Sequence, residues 1–270
     1  MLQPNMTNYT KSVLVAGGAG FIGRSFLLQF VRKFPNYFFI CVDILNYASD
    51  YEVLKPLERL ENYKFIKMDL SEDVNQLLQV VKEHQVTDII NFAAESCVDK
   101  SFVSPIFFTK NNILATQNLL ECARLLQIPT FIHISTDEVY GDEMDKAMEN
   151  SPLCPTNPYS ATKAAIDLIV NAYIKSYEMP ITILRPNNIY GPGQYPEKLI
   201  PLVIECGRKK QPVPIHGDGK NKRRYLYMSD FLDALDLKLQ RQGLLHGHIE
   251  IAQAWLETKS DTTRWVERYV

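Results

Sequence analysis

Tyr159 and Lys163 stand four residues apart as Tyr-x-x-x-Lys, a spacing that sets both side chains on one face of a helix. A free phenol has a pKa near ~10 and is a poor base at neutral pH, but an ammonium beside it favours the phenolate. The pair is a candidate for taking the proton of an alcohol while hydride leaves the adjacent carbon. Upstream, Ser135-Thr136-Asp137-Glu138-Val139-Tyr140-Gly141 follows an apolar run. Thr136 can donate to a substrate oxygen. The adjacent acids Asp137 and Glu138 can act as acid and base if their surroundings pull their pKa values apart. Alone, an Asp-Glu dipeptide is more often solvated loop charge. It gains weight from Tyr159 and from a glycine turn near the amino terminus.

That turn reads Gly17-Gly18-Ala19-Gly20-Phe21-Ile22-Gly23, between a strand-like run and a helix-like one. Glycines at 17, 20 and 23 permit a tight turn, approach of a diphosphate to the backbone, and close packing of helix on strand. The helix start adds free N–H groups and a positive dipole end. Asp43 follows Gly23 by twenty residues, where a carboxylate can accept from a ribose 2′-hydroxyl and repel a 2′-phosphate. NAD is therefore favoured over NADP. The competing reading, a tight turn plus a surface acid, loses force because the pattern opens the first strand–helix unit. The positive nicotinamide ring would lower the Tyr159 phenol further. Asp69 can reach an adenine from the end of a third strand, or start a helix beside Ser71; both readings stay open.

These residues need elements to hold them. Apolar runs at 12–16, 37–43, 64–70, 87–94, 130–136 and 181–186 read as strands. Helical stretches fall between them, at about 21–33, after Ser71, near 105–127 and from 158 to 178. Ser71 is a candidate cap for the second, whose Val74, Leu77, Leu78 and Val81 share a face. In the last, Ala164, Ala165, Leu168, Ile169 and Ala172 form the apolar side. This alternation predicts an α/β fold, a Rossmann-type doubly wound parallel sheet with right-handed crossovers. Residues 1–186 form the dinucleotide domain carrying the catalytic residues. Residues 187–270, richer in loops and with a basic cluster at Lys220, Lys222, Arg223 and Arg224, form a small, shortened substrate-binding region, with a strand returning to the sheet near 248–252.

Composition excludes several other functions. The chain has 270 residues, 46% hydrophobic and 22% charged, with net charge -2. It can bury a core without disulfides, and it has no global basic field for nucleic acid or an anionic membrane. Its five cysteines are scattered, with no zinc-ligand or disulfide spacing, so no metal is expected. No apolar run approaches ~20 residues. MLQPNMTNYTKS lacks the apolar stretch of a secretory signal, so the triplets at Asn5 and Asn8 read as chance and a cytoplasmic location is expected.

GGAGFIG, NFAAES, STDEVYG, YSATKA and NNIYGPGQYPEKLIP together resemble the extended short-chain dehydrogenase/reductases, and more narrowly the dTDP-glucose or UDP-glucose 4,6-dehydratases, from about Ser12 to Asp230. Thr136-Asp137-Glu138 is the specific part; related epimerases carry small or hydroxyl residues there, and UDP-glucuronate decarboxylases carry Thr-Ser-Glu. PTNPYSATKA and PIHGDG are closer to the UDP-glucose enzymes of UDP-rhamnose synthesis. The resemblance implies a homodimeric NAD-dependent lyase with Thr136, Asp137, Glu138, Tyr159 and Lys163 as its catalytic residues. It assigns Gly17, Gly20, Phe21, Ile22, Gly23, Asp43, Asp69, Leu70, Ala93 and Ala94, with Tyr159 and Lys163, to NAD. It assigns Glu95, Ser96, Asn188, Lys198, Leu199 and Arg223 to the sugar nucleotide. The alternatives are an epimerase or decarboxylase of the same family, or an NAD-binding protein without turnover. Cys97 stands where histidine is frequent, Arg224 where an acid or small residue is common, and the family continues for several dozen residues past the equivalent of Val270.

Overall fold

The computed structural model describes residues 9–141, 147–215, 217, 219 and 223–240. The triplets at Asn5 and Asn8, the basic residues Lys220 and Lys222, and the strand expected near 248–252 lie outside them.

Among the described residues six strands form one parallel sheet: β1 (Lys11–Ala16), β2 (Tyr37–Asp43), β3 (Tyr63–Lys67), β4 (Asp88–Asn91), β5 (Thr130–Ile134) and β6 (Ile181–Leu184). Their spatial order is β3-β2-β1-β4-β5-β6, the doubly wound arrangement expected. A sheet covered on both faces must be apolar on both, which is why its strands read as continuous runs. Along β1, Leu14 and Ala16 enter one core with Phe38, Ile40 and Phe131. Val13 and Val15 enter the other with Phe39 and Ile132.

The first face is covered by α2 (Val74–Glu83), α5 (Ala115–Leu125) and α6 (Pro158–Tyr177). The second is covered by α1 (Phe21–Lys33) and by α8 (Met228–Gln240), whose Phe231, Leu232 and Leu235 join Phe26 and Phe30. Between β4 and α5 run α3 (Val98–Val103), α4 (Pro105–Phe108) and a π-helical turn at Thr109–Leu114. After β6 a two-stranded parallel ribbon pairs β7 (Asn188–Tyr190) with β8 (Tyr225–Tyr227), and α7 (Leu199–Lys209) lies between them in sequence.

Two local expectations are corrected. The cap of α2 is Asp73, whose carboxylate accepts from the Asn75 N–H at 2.8 Å, while Ser71 turns back to donate its hydroxyl to Asp69 at 2.6 Å. The face of α6 is also different. Its buried residues are Tyr159, Ser160, Thr162, Lys163, Ala164, Ile166, Asp167, Val170 and Tyr173, whereas Leu168 is 62% exposed and Ala172 is exposed. The apolar side read from the sequence is thus split: Ala164 is buried and Ile169 packs partly on the core, while Leu168 and Ala172 face outward, and the buried stripe includes a lysine and an aspartate that an apolar count overlooks.

Candidate active site

The strand order reverses between β1 and β4, and the crevice outside their carboxyl ends is where such sheets take ligands. Gly17 sits there with φ of 70°, and a Cβ on it would lie 2.6 Å from the Ala93 backbone. Only glycine fits both conditions. Gly23 is equally constrained, because its Cβ would run into the Gly17 carbonyl and Gly18. Gly20, the N-cap of α1, has an ordinary φ of -69°, and a Cβ there would meet only the Gly17 carbonyl at 3.3 Å. Space in front of Gly20 is thus open toward the helix N-terminus, as a diphosphate requires. Phe21 and Ile22 begin α1 and pack partly into the core.

Asp43 ends β2, 6% exposed. One carboxylate oxygen accepts from Ala19 N–H at 2.9 Å; the other accepts from Leu45 N–H at 2.7 Å and the Ser49 hydroxyl at 3.0 Å. Those bonds aim the carboxylate from strand end to glycine turn and leave lone pairs for a diol. Asp69 lies two residues beyond β3, where one oxygen accepts from both the N–H and the hydroxyl of Ser71. Leu70 is buried beside it, and Ala93 and Ala94 are half-buried after β4.

The catalytic candidates converge from β5 and α6. Thr136 caps a 3-10 turn at Asp137–Tyr140 by accepting from Glu138 N–H at 3.3 Å. Asn157 and Ser160 form a reciprocal capping box with Pro158 in the first turn, so the start of α6 is fixed where Tyr159 emerges. Lys163 is 2% exposed, and its ammonium donates to the Ile134 carbonyl at 2.6 Å.

Electrostatics divide these groups. Burial raises the carboxyl of Asp137 above its ordinary range, opposed by a hydrogen bond from Asn187, by Thr136 and by the charge of Arg223. Burial also raises Glu138, with Asn157 and Arg223 opposing, Asp137 reinforcing and Lys198 opposing. The Tyr159 phenol is pushed up by burial and by the charge of Glu138, against the Thr136 hydrogen bond, with Asp137 pushing it higher. Lys163 was expected to lower that phenol. Instead burial pulls Lys163 itself down to about 8, and its ammonium is held by a backbone carbonyl.

The nucleotide-side candidates gather at the rim. Lys198 donates to the Ser96 carbonyl at 2.7 Å, immediately before Leu199 opens α7 with 54% exposure. Glu95, 6% exposed, accepts from the Asn46 side chain and is raised by burial. Asn188 starts β7, and its N–H donates to the Arg224 carbonyl at 3.2 Å.

The sequence model described as GDP-mannose 4,6 dehydratase matches residues 14–258. This chain belongs to that family. It is an extended short-chain dehydrogenase/reductase, as its motifs implied. The trifunctional UDP-glucose 4,6-dehydratase/UDP-4-keto-6-deoxy-D-glucose 3,5-epimerase/UDP-4-keto-L-rhamnose-reductase of Arabidopsis thaliana is 44% identical over 242 residues, covering 87% of this chain and 36% of its own length. The dTDP-D-glucose 4,6-dehydratase of Homo sapiens is 40% identical over 84% of this chain and 65% of its own. The dTDP-glucose 4,6-dehydratase of Streptomyces venezuelae, solved with NAD bound, superposes with a TM-score of 0.82 at 37% identity, covering 88% of this chain and 74% of that one. The chain thus spans only part of the length of these family members.

Some site residues escaped the sequence reading. Asn187 donates to Asp137 at 2.7 Å, yet the neighbouring Asn188 was the asparagine singled out. Gly18 is a packing glycine: a Cβ there would lie 2.6 Å from the Cys41 sulfur. Arg24 reaches from the first turn of α1 to Asp50 at 3.3 Å and to the Gly193 carbonyl. It ties the loop after β7 to the glycine turn, a long-range contact that no local motif announces.

Proposed function

We propose that this chain is an NAD-dependent hydro-lyase converting UDP-glucose or dTDP-glucose to the corresponding NDP-4-keto-6-deoxy-glucose. The observation that carries this reading is the half-buried Asp137–Glu138 pair, both carboxyls raised, beside Tyr159 and within the field of Arg223. An epimerase needs no such pair, because it returns hydride to the same carbon.

The glycine turn, the N-terminus of α1 and Asp43 fit a dinucleotide, with the diphosphate before Gly20 and the ribose at Asp43. When bound, NAD accepts hydride from C4 of the sugar and later returns it to C6. Tyr159 takes the proton of the 4-hydroxyl, while Thr136 hydrogen-bonds that oxygen. The 4-ketone acidifies C5–H; Glu138 removes that proton and Asp137 protonates the departing C6 hydroxyl, so water leaves, and C5 is reprotonated as hydride returns to C6. The raised carboxyls suit this division, since an acid must hold its proton near neutral pH. Their negative charges also raise the phenol, so a protonated Asp137 helps Tyr159 act as a base. Lys198, Leu199, Asn188 and Arg223 hold the nucleotide diphosphate, Arg223 by bidentate contact. Glu95 and Ser96 border the sugar.

Incubation of the purified chain with each nucleotide, followed by mass spectrometry, tests the proposal. Loss of water is expected. No dehydrated product with NAD bound, or recovery of a galactose or xylose nucleotide, would overturn it. Asp137→Asn should slow elimination at least ~10-fold and leave bound NADH detectable.

We take the working unit to be a homodimer built on α3, α4 and the outer face of α6, where Val103, Ile106 and Leu168 are 83%, 84% and 62% exposed. No helix among the described residues is long and apolar enough to cross a membrane, and all five cysteines are free. Both fit a cytoplasmic enzyme. The division at 186/187 leaves the catalytic and NAD-binding residues on one side and, on the other, the residues read as holding the sugar nucleotide's diphosphate.

A further inference from the structure

Under the Tyr159–Lys163 pair lies a second ionic layer that the proposed chemistry leaves unused. Asp167, one turn beyond Lys163 on α6, is fully buried at 0% exposure. One of its oxygens accepts from Arg185 Nε at 2.7 Å; the other, Oδ1, has no hydrogen-bond partner. Arg185 follows β6 and forks: its Nη1 donates to the Tyr140 hydroxyl at 2.6 Å and to the Glu149 carbonyl at 3.0 Å. Tyr140 closes the 3-10 turn that begins with Asp137 and Glu138. One guanidinium therefore joins the helix of the oxidation pair to the turn of the elimination pair. His133 Nε2 on β5 and Ser135 Oγ just beyond that strand are buried and likewise lack hydrogen-bond partners.

A buried ion pair is a weak source of stability, since apolar residues of similar volume frequently do as well. Its presence here, on a helix whose Ile166 and Val170 already bind it to the core, calls for another role. We infer that Asp167 and Arg185 are positioning residues for the reaction proposed above: Asp167, buried one helical turn from Lys163, is the anion whose field steadies the ammonium on its Ile134 carbonyl, and Arg185, through Tyr140, fixes the Asp137–Glu138 turn against α6. The charged and titratable groups around Lys163 are Tyr159 and Asp167 on its own helix, His133 on β5, and Arg185, just beyond β6, on the far side of Asp167. Burial, with the charges of Lys163 and Arg185, keeps His133 neutral. Asp167 is then the anion that opposes the pull of burial on Lys163. Asp137 and Glu138 act on Tyr159.

The inference rests on the proposed reaction for its purpose, but its first test needs no substrate. In protein with isotope-labelled lysines, the Lys163 resonance, identified by its loss in Lys163→Met, should titrate near about 8. Asp167→Asn should move that midpoint down by about one pH unit, and Asp167→Glu should restore it. General loosening would instead move it up toward the ordinary lysine value. An unchanged or raised midpoint in folded Asp167→Asn would overturn the role of Asp167. The second test uses Tyr140→Phe with sugar nucleotide and follows the absorbance of bound NADH. Oxidation continuing while elimination slows should raise accumulated NADH several-fold over the unsubstituted enzyme. Equal slowing of both steps, or none, would overturn the role of Arg185. If Asp167→Asn does not fold, Tyr140→Phe carries the test. If the unsubstituted enzyme turns over neither nucleotide, the proposed reaction fails, while the titration still decides Asp167.

Discussion

Gly17 and Gly20 belong to one sequence pattern but answer to different constraints. Gly17 combines a φ of 70° with a Cβ position 2.6 Å from Ala93, so Gly17→Ala should cost about 1–3 kcal/mol in urea denaturation through strain and displaced strands. Gly20 has neither problem. Gly20→Ala should fold with nearly unchanged stability yet lose at least ~10-fold in NAD affinity by calorimetry, because the added methyl enters the space for the diphosphate. Equal stability losses would refute the distinction. Lys163 shows the opposite relation between function and stability. Its folded value, about 8, lies below the ordinary 10.5, so between those pH values the unfolded chain binds more protons and stability rises with pH. Lys163→Met should therefore stabilise the protein by about 1–3 kcal/mol at neutral pH. That advantage should shrink as pH climbs through the window. A destabilised variant would contradict the burial cost. The glycine spacing and the Tyr-x-x-x-Lys pair were legible because they are short-range patterns. The ammonium's bond to Ile134 was not, since it joins residues 29 apart in sequence.

At the scale of elements, the strands were readable because burial on both faces makes them continuous apolar runs. Their ends were less readable: β3 stops at Lys67 and β4 at Asn91, short of the apolar runs that announced them. Helix caps need a side chain aimed at a free N–H, which composition cannot rank between Ser71 and Asp73. Asp73 accepts from Asn75 N–H, whereas Ser71 is engaged with Asp69. Asp73→Ala should thus cost about 1 kcal/mol in denaturant unfolding, while Ser71→Ala should cost less. NAD affinity should be unaffected by Asp73→Ala, because Asp73 is exposed and its carboxylate accepts only from the Asn75 N–H of its own helix. A larger loss in Ser71→Ala would return the cap to Ser71.

At the scale of the whole molecule, the outward face of α6 and the segment before α5 make one argument. Both α3 and α4 pack against α6, so their exposed apolar residues adjoin its outer stripe. Phe102 is 62% exposed, Val103 83%, Ile106 84%, Phe107 48% and Leu168 62%. Water-facing apolar side chains of this size, gathered on adjoining helices, mark an interaction surface more readily than scattered ones do. This face lies behind the catalytic face of α6, which holds Tyr159 and Lys163 toward β5. A second copy could therefore dock without covering the site, and would fix the helix that carries it. In sequence Leu168 read only as part of an apolar side of its helix, because periodicity reports that a face is apolar without saying what covers it. Placing charge there separates the two meanings. Ile106→Glu with Leu168→Arg should halve the sedimentation mass and leave the chain folded, since neither side chain is buried in one protomer. Loss of the folded state, or an unsubstituted chain that already sediments as a monomer, would show that the stripe is not a contact between copies. If the dimer forms as expected, its loss should also lower thermal stability in a concentration-dependent manner, because association stabilises the folded chain by mass action.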